Sequence, residues 1–397
     1  MVDGLDWWRS RIQPPPYAPA PNEYPENDEY DFQQRLYDNY ASTVTALLLS
    51  LCPNIKTFYI GSSIRRGLLE DYLLKSNYGL VPRPALQELK HVRHHRFEDP
   101  LYDSRYYDAV ELLDIIRYFH RLPQVTGILM DAVSDYQPER QLFPPKTSTS
   151  IKKIHLGYSD ISSEMLATLI RIPIGLQELS LSFYRLNSSD RYMTLVDLAF
   201  LAKSLRQHKD TLRVLGLDLG SAFAEHVEEL DEEMAGAELE DERLCDKYFH
   251  LDKAISTGSL HPHHIEDSRE YGNKIGSLRD YTTLTQLSIS IRAILGEFIF
   301  NSVTLRNPPA FRLVDALPPN LEYLCLYGYE KGKSAEMDSH VMELLEGKGE
   351  RLPKLKEIVG VDETVPGAFV KPEGWTGELD EEGFWEREVG TLGWVEV

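Results

Sequence analysis

From Tyr40 onward one spacing of apolar residues recurs: an apolar residue, two others, an apolar residue, one other, and a third apolar residue. It is seen at Ile55-Phe58-Ile60, Val125-Ile128-Met130, Ile151-Ile154-Leu156, Leu176-Leu179-Leu181, Leu212-Leu215-Leu217, Leu284-Leu287-Ile289 and Leu321-Leu324-Leu326. Leu86-Leu89 and Leu355-Ile358 are degenerate copies. The copies start at 55, 86, 125, 151, 176, 212, 284, 321 and 355, so the steps are 31, 39, 26, 25, 36, 72, 37 and 34. So short a template matches often by chance in a chain that is 42% apolar. Its weight therefore rests on what precedes it. Leu51-Cys52-Pro53-Asn54-Ile55, Leu122-Pro123-Gln124-Val125 and Leu352-Pro353-Lys354-Leu355 share one layout, and Leu317-Pro318-Pro319-Asn320-Leu321 and Ile172-Pro173-Ile174-Gly175-Leu176 extend it by one residue.

Before these prolines the spacing shifts to three and four, which predicts helices over Ala109 to Leu122, Met165 to Ile172, Leu195 to Leu205 and Val341 to Leu345, with a shorter one before Pro318. Proline stops each helix and biases the residue before it towards extended backbone. The chain then enters a short strand whose template residues face a core. One helix and one strand cannot bury both apolar faces alone, whereas stacked copies can. The expected fold is α/β: a solenoid with a curved parallel sheet, helices on its outer face and irregular repeats of about 25–39 residues.

Units such as Leu176-Gln177-Glu178-Leu179-Ser180-Leu181 and Leu317-Pro318-Pro319-Asn320-Leu321-Glu322-Tyr323-Leu324-Cys325-Leu326 resemble leucine-rich repeats. The irregular length and the helix, Leu-Pro, strand order resemble the repeat region of fungal F-box proteins over about residues 40–362. The Asn common after the strand in such repeats is replaced here by Ser159, Tyr184, Gly220 and Arg292. The first 40 residues are rich in Pro, Tyr, Asp and Asn and carry no F-box. The resemblance implies the substrate-recognition part of a ubiquitin ligase receptor. A Skp-type adaptor is then a partner only through an F-box outside this chain.

In such strands the residues beside the last two apolar positions point to the open, concave sheet face. They are Thr57, Tyr59, Lys153, His155, Glu178, Ser180, Ser182, Asp218, Gln286, Ser288, Ser290, Tyr323 and Tyr327. A concave face of this kind suits a protein partner. Tyrosine suits an interface because it buries a ring and keeps a polar tip.

Composition sets the boundaries of this array. Residues 1–39 form a Pro- and acid-rich arm, with Pro14-Pro15-Pro16 and then Pro19, Pro21 and Pro25, which favours extended backbone. The solenoid is expected over 40–363. The 72-residue step holds an acidic insertion at 222–247, in which residues 225–247 carry eleven acids against Arg243 and Lys247. It reads as a solvated projection or as a dock for a basic partner, and a degenerate repeat at Tyr248 to Ile255 fits the doubled step. Residues 364–397 are rich in Trp, Glu and Gly, and Trp375, Trp385 and Trp394 would cap the last repeat or form a partner motif.

Over 397 residues, Lys and Arg number 42 and Asp and Glu 63, a net charge of −21. With no basic stripe evident along the sequence, nucleic acid is not an expected partner. No apolar run reaches the roughly 18 residues that a membrane helix needs, so no membrane partner is expected. Three separated cysteines, Cys52, Cys245 and Cys325, make no disulfide framework, and a cytoplasmic or nuclear protein is expected.

Catalytic chemistry finds no anchor in the chain. There is no G-x-S-x-G elbow, and Gly328 to Ser334 resembles only the end of a phosphate loop. His91, His94 and His95 lie close together, but Arg93 and Arg96 interleave with them and oppose a metal. His261-Pro262-His263-His264 reads as a polar loop. Cys52 and Cys325 sit on or beside apolar positions, as inert thiols do. The expectation is a non-enzymatic scaffold without catalytic residues, cofactor or metal. The alternatives are a repeat scaffold unrelated to ubiquitin, or an enzyme whose site carries no familiar motif.

Overall fold

The computed structural model describes residues 28–60, 67–94, 108–110, 112–131, 133–135, 143–157, 159, 161–183, 196–219, 246–260, 274–296, 311–362, 365, 385–387 and 394–396. The proline run, the acidic stretch before Asp246, His95, the His261 cluster and Trp375 lie outside them.

In chain order the elements are α1 (Asp28–Leu51), β1 (Thr57–Ile60), α2 (Leu68–Asn77), β2 (His91–His94), β3 (Asp108–Val110), α3 (Leu112–Arg117), β4 (Gly127–Asp131) and β5 (Val133–Asp135). There follow β6 (Lys153–Gly157), α4 (Ser163–Arg171), β7 (Glu178–Ser182), α5 (Leu198–Arg206), β8 (Val214–Asp218), α6 (Asp246–Lys253), β9 (Gln286–Ser290) and α7 (Ile291–Leu295). The last are α8 (Leu313–Ala316), β10 (Tyr323–Tyr327), α9 (Ala335–Arg351), β11 (Glu357–Val359), β12 (Trp385–Arg387) and β13 (Trp394–Glu396).

Nine strands form one sheet in the order β1-β2-β4-β6-β7-β8-β9-β10-β11, every pair parallel. Order in space follows order in sequence, so each strand is flanked by the strands of the units before and after it, the arrangement of a solenoid. The template explains the core. Phe58, Val92, Ile128, Ile154, Leu179, Leu215, Leu287, Leu324 and Ile358 align strand to strand as one row. Ile60, His94, Met130, Leu156, Leu181, Leu217, Ile289 and Leu326 align as the next. The apolar members of both rows pack with helix residues in one continuous core running from Ala46 to Val361.

Four expectations change. The copy placed at Leu86 starts at Leu89 instead. Leu86, buried at φ 61°, takes the role that Leu122 has before β4, its carbonyl accepting from the Leu89 amide at 3.0 Å. The third core position of that unit is His94, a polar side chain 1% exposed, which hid the frame. The first steps are therefore 34 and 36. The doubled step places no further strand in the sheet between β8 and β9, which pair directly, and residues 246–253 are helical. The arm boundary moves, since α1 begins at Asp28. The helix expected from Ala109 starts at Leu112, because Asp108–Val110 pairs with Val133–Asp135 as a small parallel ladder. In the tail, Trp385 and Trp394 lie in the antiparallel pair β12–β13.

Two helix starts show why the units begin where they do. Ser162 Oγ accepts from the Met165 amide at 3.2 Å, and Asp197 Oδ1 from the Ala199 amide at 2.7 Å, satisfying first-turn donors that have no helical partner. At the far end, Gly360 turns the chain after β11 with φ +85°, and a Cβ there would meet the Leu326 carbonyl oxygen at 2.2 Å.

Candidate protein-binding face

The residue just before each sheet strand carries a backbone ladder. The Lys56 carbonyl accepts two amides, from Lys90 at 2.8 Å and His91 at 3.1 Å. The same two-into-one pattern recurs at the carbonyls of Lys90, Thr126, Lys152, Gln177, Arg213, Thr285 and Glu322. Lys56, Lys90, Thr126, Lys152, Gln177, Arg213, Thr285, Glu322 and Lys356 thus form an entry row fixed by main chain alone. Two outward rows follow by alternation. The first is Thr57, His91, Gly127, Lys153, Glu178, Val214, Gln286, Tyr323 and Glu357. The second is Tyr59, Arg93, Leu129, His155, Ser180, Gly216, Ser288, Cys325 and Val359.

Of the residues expected on this face, Tyr59, Lys153, His155, Glu178, Ser180, Gln286, Ser290 and Tyr323 keep access to solvent, and Tyr59 is 60% exposed. Ser182, Asp218, Ser288 and Tyr327 do not, and this corrects the expectation for them: they are 6%, 1%, 0% and 3% exposed. Alternation sets where a side chain points and leaves open whether other parts of the chain overlie it. Val365 bridges Tyr327. Around Ser182 and Asp218 the chain crosses between strands, the Ser159 and Phe183 amides donating to their carbonyls. Ser288 lies between Gly216 and Cys325, both buried.

One group of these residues is brought together. Lys153 Nζ lies 2.6 Å from Glu178 Oε1, and His155 Nε2 lies 3.8 Å from Oε2. His155 and Lys153 together hold the Glu178 carboxyl below its ordinary range against the opposing effect of burial. Two strands from β6, β2 adds His91 and Arg93, which were not among the residues expected on this face. The His91 ring covers Gly127, where a Cβ would come within 3.0 Å of Nδ1. Its pKa is lowered by burial and then by Arg93, Lys153 and Lys90. The Arg93 guanidinium lies 6.0 Å from the centre of the Tyr59 ring. His91 and His94 therefore sit in a strand and belong to rows on opposite faces. Among the described residues, no group of three or more His, Cys, Asp and Glu side chains is placed to hold a metal ion.

The segment carrying α6 makes a buried polar site with residues that precede the strands. Asp252, fully buried, accepts from the Tyr78 hydroxyl and from His120 Nε2 at 2.8 Å, with Arg121 Nε at 3.7 Å. The other ring nitrogen of His120 lies 3.2 Å from Asn77 Nδ2. Burial and Asp252 raise the pKa of Tyr78. Further along, Ser256 Oγ donates to Pro145 O at 2.6 Å, and Arg171 donates to the carbonyls of Ser259 and Leu260. Residues 246–260 thus lie against the turns that lead into β2, β4, β6 and β7. The partners are 174 and 132 residues apart in sequence, and no local motif links them.

Comparison with protein-family models, curated proteins and solved structures finds no match to this chain. No described helix is long and apolar enough to cross a membrane.

Proposed function

We propose that this chain is a non-enzymatic, leucine-rich-repeat-type scaffold that binds a protein on its outward sheet rows. The observation that carries this reading is the division of labour along each strand. Two positions per unit go to the shared core, and the two outward rows between β1 and β7 hold Thr, Tyr, Lys, Arg, His, Glu and Ser, with only Gly127 and Leu129 apolar. A parallel sheet is ordinarily covered on both faces, and its strands then read as continuous apolar runs. Strands that place polar side chains opposite a helix-covered face have a surface to offer.

The resemblance to F-box repeats makes a ubiquitin-ligase substrate receptor the specific version of this function. Retention of the chain on an immobilised Skp-type adaptor supports that version, and no retention removes direct adaptor binding by this chain. The general reading is tested by partner recovery. Proteins recovered with the wild type should be lost with Tyr59→Ala/Lys153→Glu/Tyr323→Ala, circular dichroism being unchanged. Recovery unaffected by that variant, but abolished by exposed changes on α9 such as Glu346→Arg/Glu350→Arg, overturns it.

A further inference from the structure

The charges in the three rows divide unevenly. From β1 to β8 the entry and outward rows hold Lys56, Lys90, Arg93, Lys152, Lys153 and Arg213 together with His91 and His155, and Glu178 as their only carboxylate. Lys153 is paired with Glu178. Lys56, Lys90, Arg93, Lys152 and Arg213 have no ion-pair partner among the described residues. From β9 to β11 the same rows hold Lys356 against Glu322 and Glu357, and Lys356 Nζ lies 2.5 Å from Glu322. A chain with a net charge of −21 thus aligns unpaired cations along one stretch of its sheet.

We propose that this stretch binds an acidic polypeptide segment in polyproline II conformation, with an acid at every third residue. The proposal rests on the scaffold reading above and specifies its partner. Its spacing follows from the ladder. Lys90, Lys152 and Arg213 stand on β2, β6 and β8, two strands apart each time, with neutral Thr126 and Gln177 between them. Adjacent strands are ~4.8 Å apart, so these cations recur about every 10 Å. A polyproline II chain has about three residues per turn and rises ~3.1 Å per residue, so its positions i, i+3 and i+6 share one face about 9 Å apart. An extended β-strand puts i and i+3 on opposite faces and matches less well. A polypeptide is favoured over nucleic acid because the field of the whole molecule repels a continuous polyanion, while a few spaced carboxylates meet only the local cations.

The test is fluorescence anisotropy with the full chain and a labelled peptide of three Glu-Pro-Pro units. Binding is expected that weakens as salt rises from about 50 to about 500 mM. The Gln-Pro-Pro peptide should bind at least about tenfold more weakly. Lys90→Glu/Lys152→Glu/Arg213→Glu should lose about tenfold or more, with unchanged circular dichroism, and the milder Lys90→Gln/Lys152→Gln/Arg213→Gln should lose less, in the same direction. Lys356→Glu should leave affinity unchanged. Equal binding of the Gln-Pro-Pro peptide, indifference to both triple variants, or tighter binding of a single-stranded oligonucleotide of equal charge overturns the proposal. Loss of recovered partners with Tyr59→Ala/Lys153→Glu/Tyr323→Ala, without any binding of the acidic peptide, overturns this specificity and leaves the scaffold reading standing.

Discussion

The two ends of the sheet share one backbone and present different surfaces. At the second outward row, β1, β2, β4, β6 and β7 carry Tyr59, Arg93, Leu129, His155 and Ser180, all at least partly accessible. At the same register β8, β9 and β10 carry Gly216, Ser288 and Cys325, all buried. The ladder of entry-row carbonyls runs through both regions without interruption. Repetition of a backbone unit thus fixes where side chains stand, while their access to solvent changes from one stretch of the sheet to the next.

The largest effect is expected where the segment carrying α6 meets the accessible half. Asp252→Ala strands the Tyr78 hydroxyl, His120 and Arg121 in a buried site and should cost about 3–5 kcal/mol of stability, read from urea unfolding. A loss under about 1 kcal/mol would mean that the segment is not held there.

Acid should act next, through His208. It is 1% exposed, accepts from the Leu176 amide at 3.2 Å and bonds the Ile170 carbonyl at 2.8 Å. Burial above all, with Lys146 and Lys152 nearby, pushes its pKa down to about 4 from 6.5. The folded state holds this ring neutral, so the unfolded state binds more protons between these values. The stabilisation is complete above pH 6.5 and is lost as pH falls towards 4, at most about 3 kcal/mol. His208→Gln should be less stable at neutral pH and should show a flatter decline over that window. An equally steep decline in the variant assigns the acid sensitivity to other groups.

After β11, Gly360→Ala should cost about 2 kcal/mol, because the new Cβ meets the Leu326 carbonyl at a left-handed φ. Thermal unfolding measures it. Last, the contrast itself can be probed by labelling: Ser180→Cys should react with a maleimide at least about tenfold faster than Ser288→Cys in the folded protein, since the second is reached only through opening. Equal rates would erase the distinction between the two regions.

Much of the sheet was legible because the template lists core positions, and core positions are what a parallel array repeats. Eight of the nine copies start where the strands require, and the ninth was misplaced by three residues through His94. The long α1 was hidden by its position against a proline- and acid-rich arm. The row of Lys56, Lys90, Lys152 and Arg213 is not legible locally for a different reason: its members lie 34 to 62 residues apart, so no local window holds two of them. Aligning the units on their first apolar residue, with Leu89 as that residue in the second unit, brings the row into the next column. The burial of Ser288 and Asp218 carries no such signal, since alternation marks both as outward like their accessible neighbours.

The site around Asp252 also has a history in time. On the ribosome, Tyr78 is made 174 residues before Asp252 and His120 132 residues before it. At 5–20 residues per second the earlier of these waits roughly 10–30 s for its partner. During that interval the first repeats are already long enough to stack, yet the polar side chains at the turns into β2 and β4 lack the carboxylate that joins them.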